Sequence, residues 1–188
     1  MLPLLLACHP EHVERPELRV GALADTADAT PLGPLDAVCF CDIQAAPAFA
    51  PLGAVSNLGR IHDPGGTDFS WTELDPDQDG RDLDFTRTDA SISRTQAFGM
   101  SQWVTLHTDR TEDGLLAPLR LPPDRAAWDR FVRALVERYD GDGFEDMPGI
   151  ASPVVAWEVG NEPEEVMSPQ DYAELVAITA ASVHAADP

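Results

Sequence analysis

Lysine is absent from this sequence of 188 residues, and all 12 basic residues are arginines. Against them stand 33 acidic residues, which gives a formal net charge of −21. The phosphates of nucleic acids and the surface of anionic membranes would repel such a chain, so the composition argues against a nucleic-acid partner. The missing lysines, together with many Ala, Pro and Asp residues, indicate either the codon bias of a GC-rich genome or adaptation to salt.

Cysteines and long apolar runs are also scarce. The three cysteines are Cys8, Cys39 and Cys41, and no apolar run approaches the roughly 20 residues of a membrane span. Cys8 follows a short apolar run that ends in Ala7, which is similar to the end of a bacterial lipoprotein signal. The run is shorter than that of a usual signal peptide, so an ordinary apolar amino terminus is the alternative. A lipid anchor at Cys8 would make the protein secreted or anchored to the cell envelope.

The chain divides by composition into two parts. Residues 1–34 are rich in Pro, Glu, Ala and Asp without an apolar period, which predicts an exposed tether. Residues 35–188 alternate predicted strands with predicted helices, and this alternation favours a parallel sheet. The predicted strands are 37–41, 55–61, 102–107 and 154–159, and the predicted helices are 45–52, 86–98, 124–139 and 168–184. A hydrophobic content of 44% is sufficient for one sizeable core.

The most informative stretch is Val154–Glu164. Its first half is apolar and rich in valine, which predicts a strand buried on both faces, and it ends abruptly in Gly-Asn-Glu-Pro. Ser168 is a suitable N-cap for a helix that begins directly afterwards. Glu162 is therefore expected at the carboxyl end of a buried parallel strand. In barrels of alternating strands and helices, that end carries the active site.

The sequence Trp-Glu-Val-Gly-Asn-Glu-Pro, residues 157–163, resembles the fourth-strand motif of the clan of retaining glycoside hydrolases on (β/α)8 barrels. The resemblance implies that Glu162 is the general acid/base and that Asn161 binds the 2-hydroxyl of the substrate. It also implies the fold class, a (β/α)8 TIM barrel. Because a complete barrel needs roughly 250 residues, residues 35–188 are interpreted as its amino-terminal half, with about four βα units.

Three further residues are candidates for substrate binding. The resemblance places Arg60 at the end of strand two, where an arginine commonly braces the nucleophile carboxylate, and His107 at the end of strand three. Trp71 lies in the long loop 63–85, where an exposed ring could stack on a sugar. The alternatives are a surface arginine beside Asp63, a loop histidine beside Asp109, and a tryptophan that folds back onto the barrel.

A calcium site is a further hypothesis. Asp75, Asp77 and Asp79 alternate before Gly80, as do the first ligands of an oxygen-ligand calcium loop. The acid that would close an EF-hand loop is missing, and solvated acidic turns are the alternative. A second acidic cluster, 140–146, has similar composition.

These observations favour a fragment of a retaining glycosidase that acts on β-linked oligo- or polysaccharides and requires no cofactor. Such an enzyme needs a second carboxylate, which the resemblance places on strand seven. Glu158 does not replace it, because four residues along a strand separate it from Glu162 by roughly 13 Å. The chain alone is therefore expected to be inactive. The alternatives are a carbohydrate-binding pseudoenzyme and a calcium-stabilised cell-surface module.

Overall fold

A computed structural model describes residues 37–40, 58–61, 69–97, 99–109 and 119–188. All of these residues belong to one compact unit, Leu32–Pro188. The predicted tether, Cys8 and the predicted helix 45–52 lie outside the described residues. The division of the chain near residue 34 therefore stays a prediction.

Four strands form one parallel sheet in the order β1-β2-β3-β4. The strands are β1 (Ala37–Phe40), β2 (Leu58–Ile61), β3 (Ser101–Leu106) and β4 (Val154–Val159). Neighbours in sequence are neighbours in space, which is the common arrangement for consecutive strands. The predicted α/β class with a parallel sheet is confirmed, and the carboxyl ends of all four strands lie at one edge.

Helices follow the strands much as the periodicity predicts. The α-helices are α1 (Trp71–Leu74), α2 (Thr86–Gln96), α3 (Arg125–Tyr139) and α4 (Pro169–Ala186), and a 3₁₀ turn covers Pro163–Glu165. The predicted caps form: Asp124 Oδ1 accepts hydrogen bonds from the backbone N–H groups of Ala126 and Ala127, and Ser168 accepts one from Asp171. Within the described ranges, no helix combines the length and the apolar content that a membrane span needs.

The core combines the buried side of α3 with apolar side chains of α1, α2, α4 and the strands β3 and β4. The apolar side of α3 recurs at spacings of three and four, and it is fully buried, as its sequence period predicts. Its members are Trp128, Phe131, Val132, Leu135, Val136 and Tyr139. The indole N–H of Trp128 donates to Thr179 Oγ1 of α4 over 3.0 Å, so this large side chain is buried without an unsatisfied donor.

Strand β4 differs from the expected strand buried on both faces. Val154 is buried, Val155 is 36% exposed, and the four residues that follow are half-buried. Two features explain the difference. Strand β4 is the last strand in the order, so among the described strands it has a neighbour on one side only. One of its faces also carries the polar side chain of Glu158.

Candidate active site

Arg60 of β2 is the centre of a polar cluster at the sheet edge. Its Nε and one terminal nitrogen lie 2.8 Å and 2.6 Å from Oε2 of Glu158, which belongs to β4. Thr105 Oγ1 of β3 donates to the same oxygen over 2.6 Å. The guanidinium also lies over the ring of Trp103, 5.6 Å from its centroid. Three strands therefore contribute to one network, in which the charge of Arg60 is balanced by a carboxylate.

Asn161 joins this network from the loop after β4. The terminal nitrogen of Arg60 donates to Asn161 Oδ1 over 3.0 Å, although 101 positions separate the two residues in sequence. The structure therefore brings together two of the predicted site residues. The partner of Arg60 nevertheless differs from the expected one, because among the described residues its carboxylate partner is Glu158.

Glu162 directly follows Asn161 and has an unusual backbone. Its φ of 48° and ψ of 52° lie in the left-handed region, and Pro163 follows it. Left-handed backbone is costly for a residue with a side chain, and a residue before proline favours extended backbone. Such strain is kept where the surrounding structure fixes it, and it occurs often at functional sites. The side chain of Glu162 is exposed, at the edge where an active site is expected.

Gly160 makes this abrupt end of β4 feasible. Its N–H donates to the carbonyl oxygen of Leu106 over 2.8 Å, which extends the contact between β4 and β3 by one residue. Its φ is +66°, and a Cβ at this position would lie 2.1 Å from Leu119 Cδ1. A side chain here would therefore clash as well as strain the backbone. Glycine at this position lets the chain turn away and places Asn161 and Glu162 at the rim.

His107 follows β3 on the same edge of the sheet, as predicted. Its backbone pairs with Phe69 and Trp71, through an N–H bond of 3.0 Å to Phe69 and a carbonyl that accepts from Trp71 over 2.9 Å. The side chain is only 3% exposed. A sugar could reach it only if covering residues moved, so substrate binding by His107 stays a prediction.

The expectation of an exposed Trp71 is wrong. This side chain is 1% exposed and packs against Trp128 and Phe131, with ring centroids 5.4 Å and 6.1 Å away. Its indole N–H donates to Asp75 Oδ2 over 2.8 Å. The loop therefore folds back onto the core, because burial of so large an apolar surface is favourable once the indole N–H has an acceptor. No face of Trp71 is available to stack on a sugar.

The predicted calcium ligands Asp75, Asp77 and Asp79 do not converge. Asp75 is 2% exposed, and its Oδ2 accepts from the backbone N–H of Gly80 over 2.7 Å as well as from Trp71. Asp77 is exposed, and Asp79 Oδ1 accepts from the backbone N–H of Arg81 over 2.9 Å. The alternating carboxylates therefore organise a turn, and the structure contradicts the proposed ligand set.

A different acidic group does converge. Glu137, Asp140 and Asp142 each place a carboxylate oxygen within 4.8 Å of the others, which among the described residues is the geometry closest to a cation site. Partial burial and the neighbouring charges raise the pKa of Asp140 to about 6. Partial burial, followed by repulsion from Asp142, also raises the pKa of Glu137. Glu137 belongs to the last turn of α3, and Asp140 and Asp142 belong to the second acidic cluster, 140–146.

Sequence reasoning missed the roles of Glu158 and Thr105. The sequence indicates Glu158 only as a possible nucleophile, and its separation of roughly 13 Å from Glu162 along a strand argues against that role. A pairing of strands three and four in which these residues are neighbours would have shown the contact, but the sequence does not give the register.

Comparisons with known proteins support the fold. No family model and no curated protein sequence matches the chain. Among solved structures, a glucosidase from Croceicoccus marinus is similar, with 24% identity and a TM-score of 0.51 over 76% of this chain and 30% of that one. A family 39 glycoside hydrolase from the gut symbiont Bacteroides cellulosilyticus shows 16% identity and a TM-score of 0.53 over 81% of this chain and 29% of that one.

The chain thus spans about 30% of the length of these two proteins. At these identities the likeness concerns the fold. The parallel sheet and its helices are arranged as in part of two glycoside hydrolase structures.

Proposed function

We propose that this chain is the part of a retaining glycoside hydrolase that binds a β-linked glycan and supplies the general acid/base, Glu162. In this proposal the four parallel strands are the amino-terminal half of a (β/α)8 barrel. The observation that carries it is the hydrogen bond of 3.0 Å between Arg60 and Asn161, which unites the ends of β2 and β4 beside Glu162. The motif at residues 157–163 and the fold likeness support the same assignment.

The chemistry assigns a distinct task to each residue. A retaining glycosidase uses two carboxyl groups about 5 Å apart, of which one protonates the leaving oxygen and then activates water, while the other attacks the anomeric carbon. Glu162 takes the first role by its place in the motif at residues 157–163, and its side chain is exposed at the rim. Asn161 holds a hydroxyl of the sugar next to the bond that breaks.

Glu158 does not serve as the nucleophile in this proposal. Its Oε2 already accepts hydrogen bonds from Arg60 and Thr105. The resemblance places the attacking carboxylate on strand seven, and we assign it to a longer protein. Action on polymeric glycans fits a secreted or envelope-anchored protein, with Cys8 as the residue that would carry a lipid.

Binding is the first test. Isothermal titration of the chain with β-linked xylo-, cello- and manno-oligosaccharides should detect at least one ligand. Asn161→Ala should weaken that binding at least tenfold, since a hydrogen bond that orients a buried hydroxyl is lost. Glu165→Gln changes an exposed carboxylate three positions from Glu162, and it should leave affinity unchanged. No binding by the unaltered chain to any member of the series would refute a sugar site here.

Catalysis is the second test, in the longer protein that supplies the second carboxylate. Glu162→Gln should lower kcat by about 10²–10⁴-fold for glycosides with poor leaving groups, as expected for a lost general acid. An aryl glycoside with a good leaving group should still form the glycosyl-enzyme, and azide should restore turnover because it needs no general base. Equal losses on both substrates without azide rescue would remove Glu162 from this role. Sugar binding with no turnover at all would identify a non-catalytic carbohydrate-binding protein.

A further inference from the structure

Glu158 has no role in the mechanism proposed above, yet its carboxylate is bound by the side chains of both Arg60 and Thr105. A single oxygen, Oε2, accepts hydrogen bonds from Arg60 Nε over 2.8 Å and from the hydroxyl of Thr105 over 2.6 Å, and one terminal nitrogen of Arg60 lies 2.6 Å from it in an ion pair. The side chains of Arg60 and Glu158 are 15% and 26% exposed. Charge-assisted bonds in such a partly desolvated place are strong enough to fix the plane of a guanidinium.

A bulge in β4 directs Glu158 toward Arg60. Gln102 pairs with Val154, but the next residue of β3, Trp103, pairs with Ala156, so one residue, Val155, is extra on β4. Successive side chains alternate between the two faces of a strand, and an inserted residue reverses that alternation.

The consequence can be followed from the pairs on each side of the bulge. Beyond it, Glu158 pairs with Thr105 and therefore shares its face, while Trp157 pairs with Val104 and packs toward the helical core. If all residues of β4 paired without a bulge from Gln102 and Val154 onward, Trp157 would lie opposite Thr105, and Glu158 would lie opposite Leu106, whose side chain is buried in the core. The bulge thus places a carboxylate on the polar face and an indole on the apolar one.

Arg60 in turn defines the orientation of the Asn161 amide. A guanidinium only donates hydrogen bonds, so the atom of Asn161 that lies 3.0 Å from it must be the carbonyl oxygen. The amide nitrogen, Nδ2, then points away from Arg60. A ligand that meets this nitrogen must offer an acceptor, such as the oxygen of a sugar hydroxyl.

We propose that Glu158, assisted by Thr105, is a positioning residue that fixes Arg60 and thereby holds the Asn161 amide with its N–H groups toward the sugar hydroxyl. This inference rests on the proposed function for the choice of ligand, but not for the contacts themselves. In this series of contacts, Thr105 of β3 binds Glu158 of β4, Glu158 binds Arg60 of β2, and Arg60 binds Asn161. Only Asn161 touches the ligand.

The first experiment tests the contacts between Glu158, Arg60 and Asn161 in the absence of sugar. In ¹⁵N NMR spectra of the whole chain, Glu158→Gln should shift the Arg60 Nε–H resonance and the Asn161 side-chain amide pair, because the charged acceptor of Arg60 is lost. Glu174→Gln is the matched control, since it breaks an exposed Arg–Glu pair, with Arg125 at 2.8 Å, outside this network. It should leave both signals unchanged. An unchanged Asn161 amide in Glu158→Gln would overturn the proposal.

A second pair of variants keeps the test valid if Glu158→Gln folds poorly. Thr105→Val retains the ion pair and removes one hydrogen bond, so it should shift the same signals by less. Thr105→Ser restores the hydroxyl and should return them to the original positions. A shift in Thr105→Ser as large as that in Thr105→Val would show that the methyl group matters and would contradict a positioning role.

The last experiment uses the oligosaccharide that the chain binds. Glu158→Gln should weaken binding about tenfold in the unaltered background and less than twofold when Asn161 is already alanine, because the two residues act in series. Equal effects in both backgrounds would overturn the proposal. If no sugar binds the unaltered chain, the proposed function fails, while the NMR result still decides the positioning role of Glu158.

Discussion

Removal of the Asp75 carboxylate should destabilise the chain strongly, for a reason unrelated to calcium. Asp75 is 2% exposed, and one oxygen, Oδ2, accepts from the indole N–H of Trp71 and the backbone N–H of Gly80. Gly80 has a φ of +75°, and a Cβ there would lie 2.4 Å from the carbonyl oxygen of Ala127. The loop thus approaches α3 closely, and Asp75 holds it there.

The expected magnitude follows from the two donors. In Asp75→Ala both N–H groups lose their acceptor inside a buried site, and each such loss costs about 1–3 kcal/mol. Together they should lower the free energy of unfolding by about 3–5 kcal/mol. For a domain of this size, about 2–4 °C of Tm is lost for each kcal/mol, so Tm should fall by about 6–20 °C. Asp75→Asn should lose only about 1 kcal/mol, since an amide oxygen can occupy the place of Oδ2 and accept both bonds.

Denaturant unfolding measures these differences, and it should be run with calcium and with a chelator. Asp77→Ala removes an exposed carboxylate from the same turn and is the matched control, with an expected change within about 0.5 kcal/mol. Trp71→Phe keeps a ring but removes the indole donor, so Asp75→Ala should cost less in that background. The order of stability should not depend on calcium.

Two outcomes would refute this reasoning. If Asp77→Ala destabilised the chain as much as Asp75→Ala, and only in calcium, the acidic turn would be a metal loop after all. If Asp75→Ala cost the same in the Trp71→Phe background as in the unaltered chain, the indole N–H bond would contribute nothing.

The remaining predictions concern other parts of the fold. Burial and neighbouring charges raise the pKa of Asp140 to about 6, above the 3.8 of an ordinary Asp. The folded state therefore binds the Asp140 proton more tightly than the unfolded state does, and this residue adds stability as pH falls from 7 to 4. Asp140→Asn should remove that pH dependence and stabilise the chain at pH 7 by about 1 kcal/mol, discounted for its partial exposure, as pH-dependent unfolding would show. The hydroxyl of buried Tyr139 lies 2.6 Å from Thr88 Oγ1 and 2.8 Å from Asp89 Oδ1, so Tyr139→Phe should cost about 1–2 kcal/mol in thermal unfolding, whereas no cost would mean that these contacts are not maintained. The exposed Val155 on the outer strand should promote self-association, so Val155→Lys should shift sedimentation profiles toward smaller species, and a monomeric unaltered chain with sharp unfolding would contradict this.

Elements with a strong period were predictable from the sequence, and elements with a weak one were less so. The apolar residues of α3 recur at helical spacing and Asp124 is a good cap, so both the helix and its buried side were predicted correctly. Strand β4 was located correctly, but its burial was not. A valine-rich run does not show whether a strand lies inside a sheet or at its end, nor where a bulge reverses its faces.

The burial and contacts of loop residues were the hardest to predict. Trp71 and Asp75 lie in a segment whose composition suits either an open substrate loop or a folded turn. The hydrogen bond between the Trp71 indole and the Asp75 carboxylate, four positions apart, forms because Trp71 packs beside Trp128 and because the loop approaches α3 closely at Gly80. Tertiary packing of this kind leaves no periodic signal in the sequence. The sequence therefore allowed both an exposed and a folded-back Trp71, and both a calcium loop and a solvated acidic turn, whereas the structure has a buried Trp71 and acidic side chains in this turn that do not converge.

The same limit explains why Arg60 was located correctly while its partner was not. The resemblance gives the strand on which each residue lies, and the carboxyl ends of parallel strands lie at the same edge of a sheet, so Arg60 of β2 and Asn161 after β4 are expected near each other although β3 lies between their strands. The contact with Glu158 also depends on which residues of β4 face Arg60 after the bulge, and the sequence does not show this. Since one extra residue after the bulge exchanges Glu158 for Trp157 on the polar face, an alanine inserted between Ala156 and Trp157 should break the cluster even though every polar residue is retained. Such a variant would have an indole beside Arg60 and a carboxylate against Leu106, a buried charge that costs several kcal/mol. It should therefore lose much more stability than Val155→Lys, and chemical denaturation of the two variants side by side would measure the contribution of the register itself.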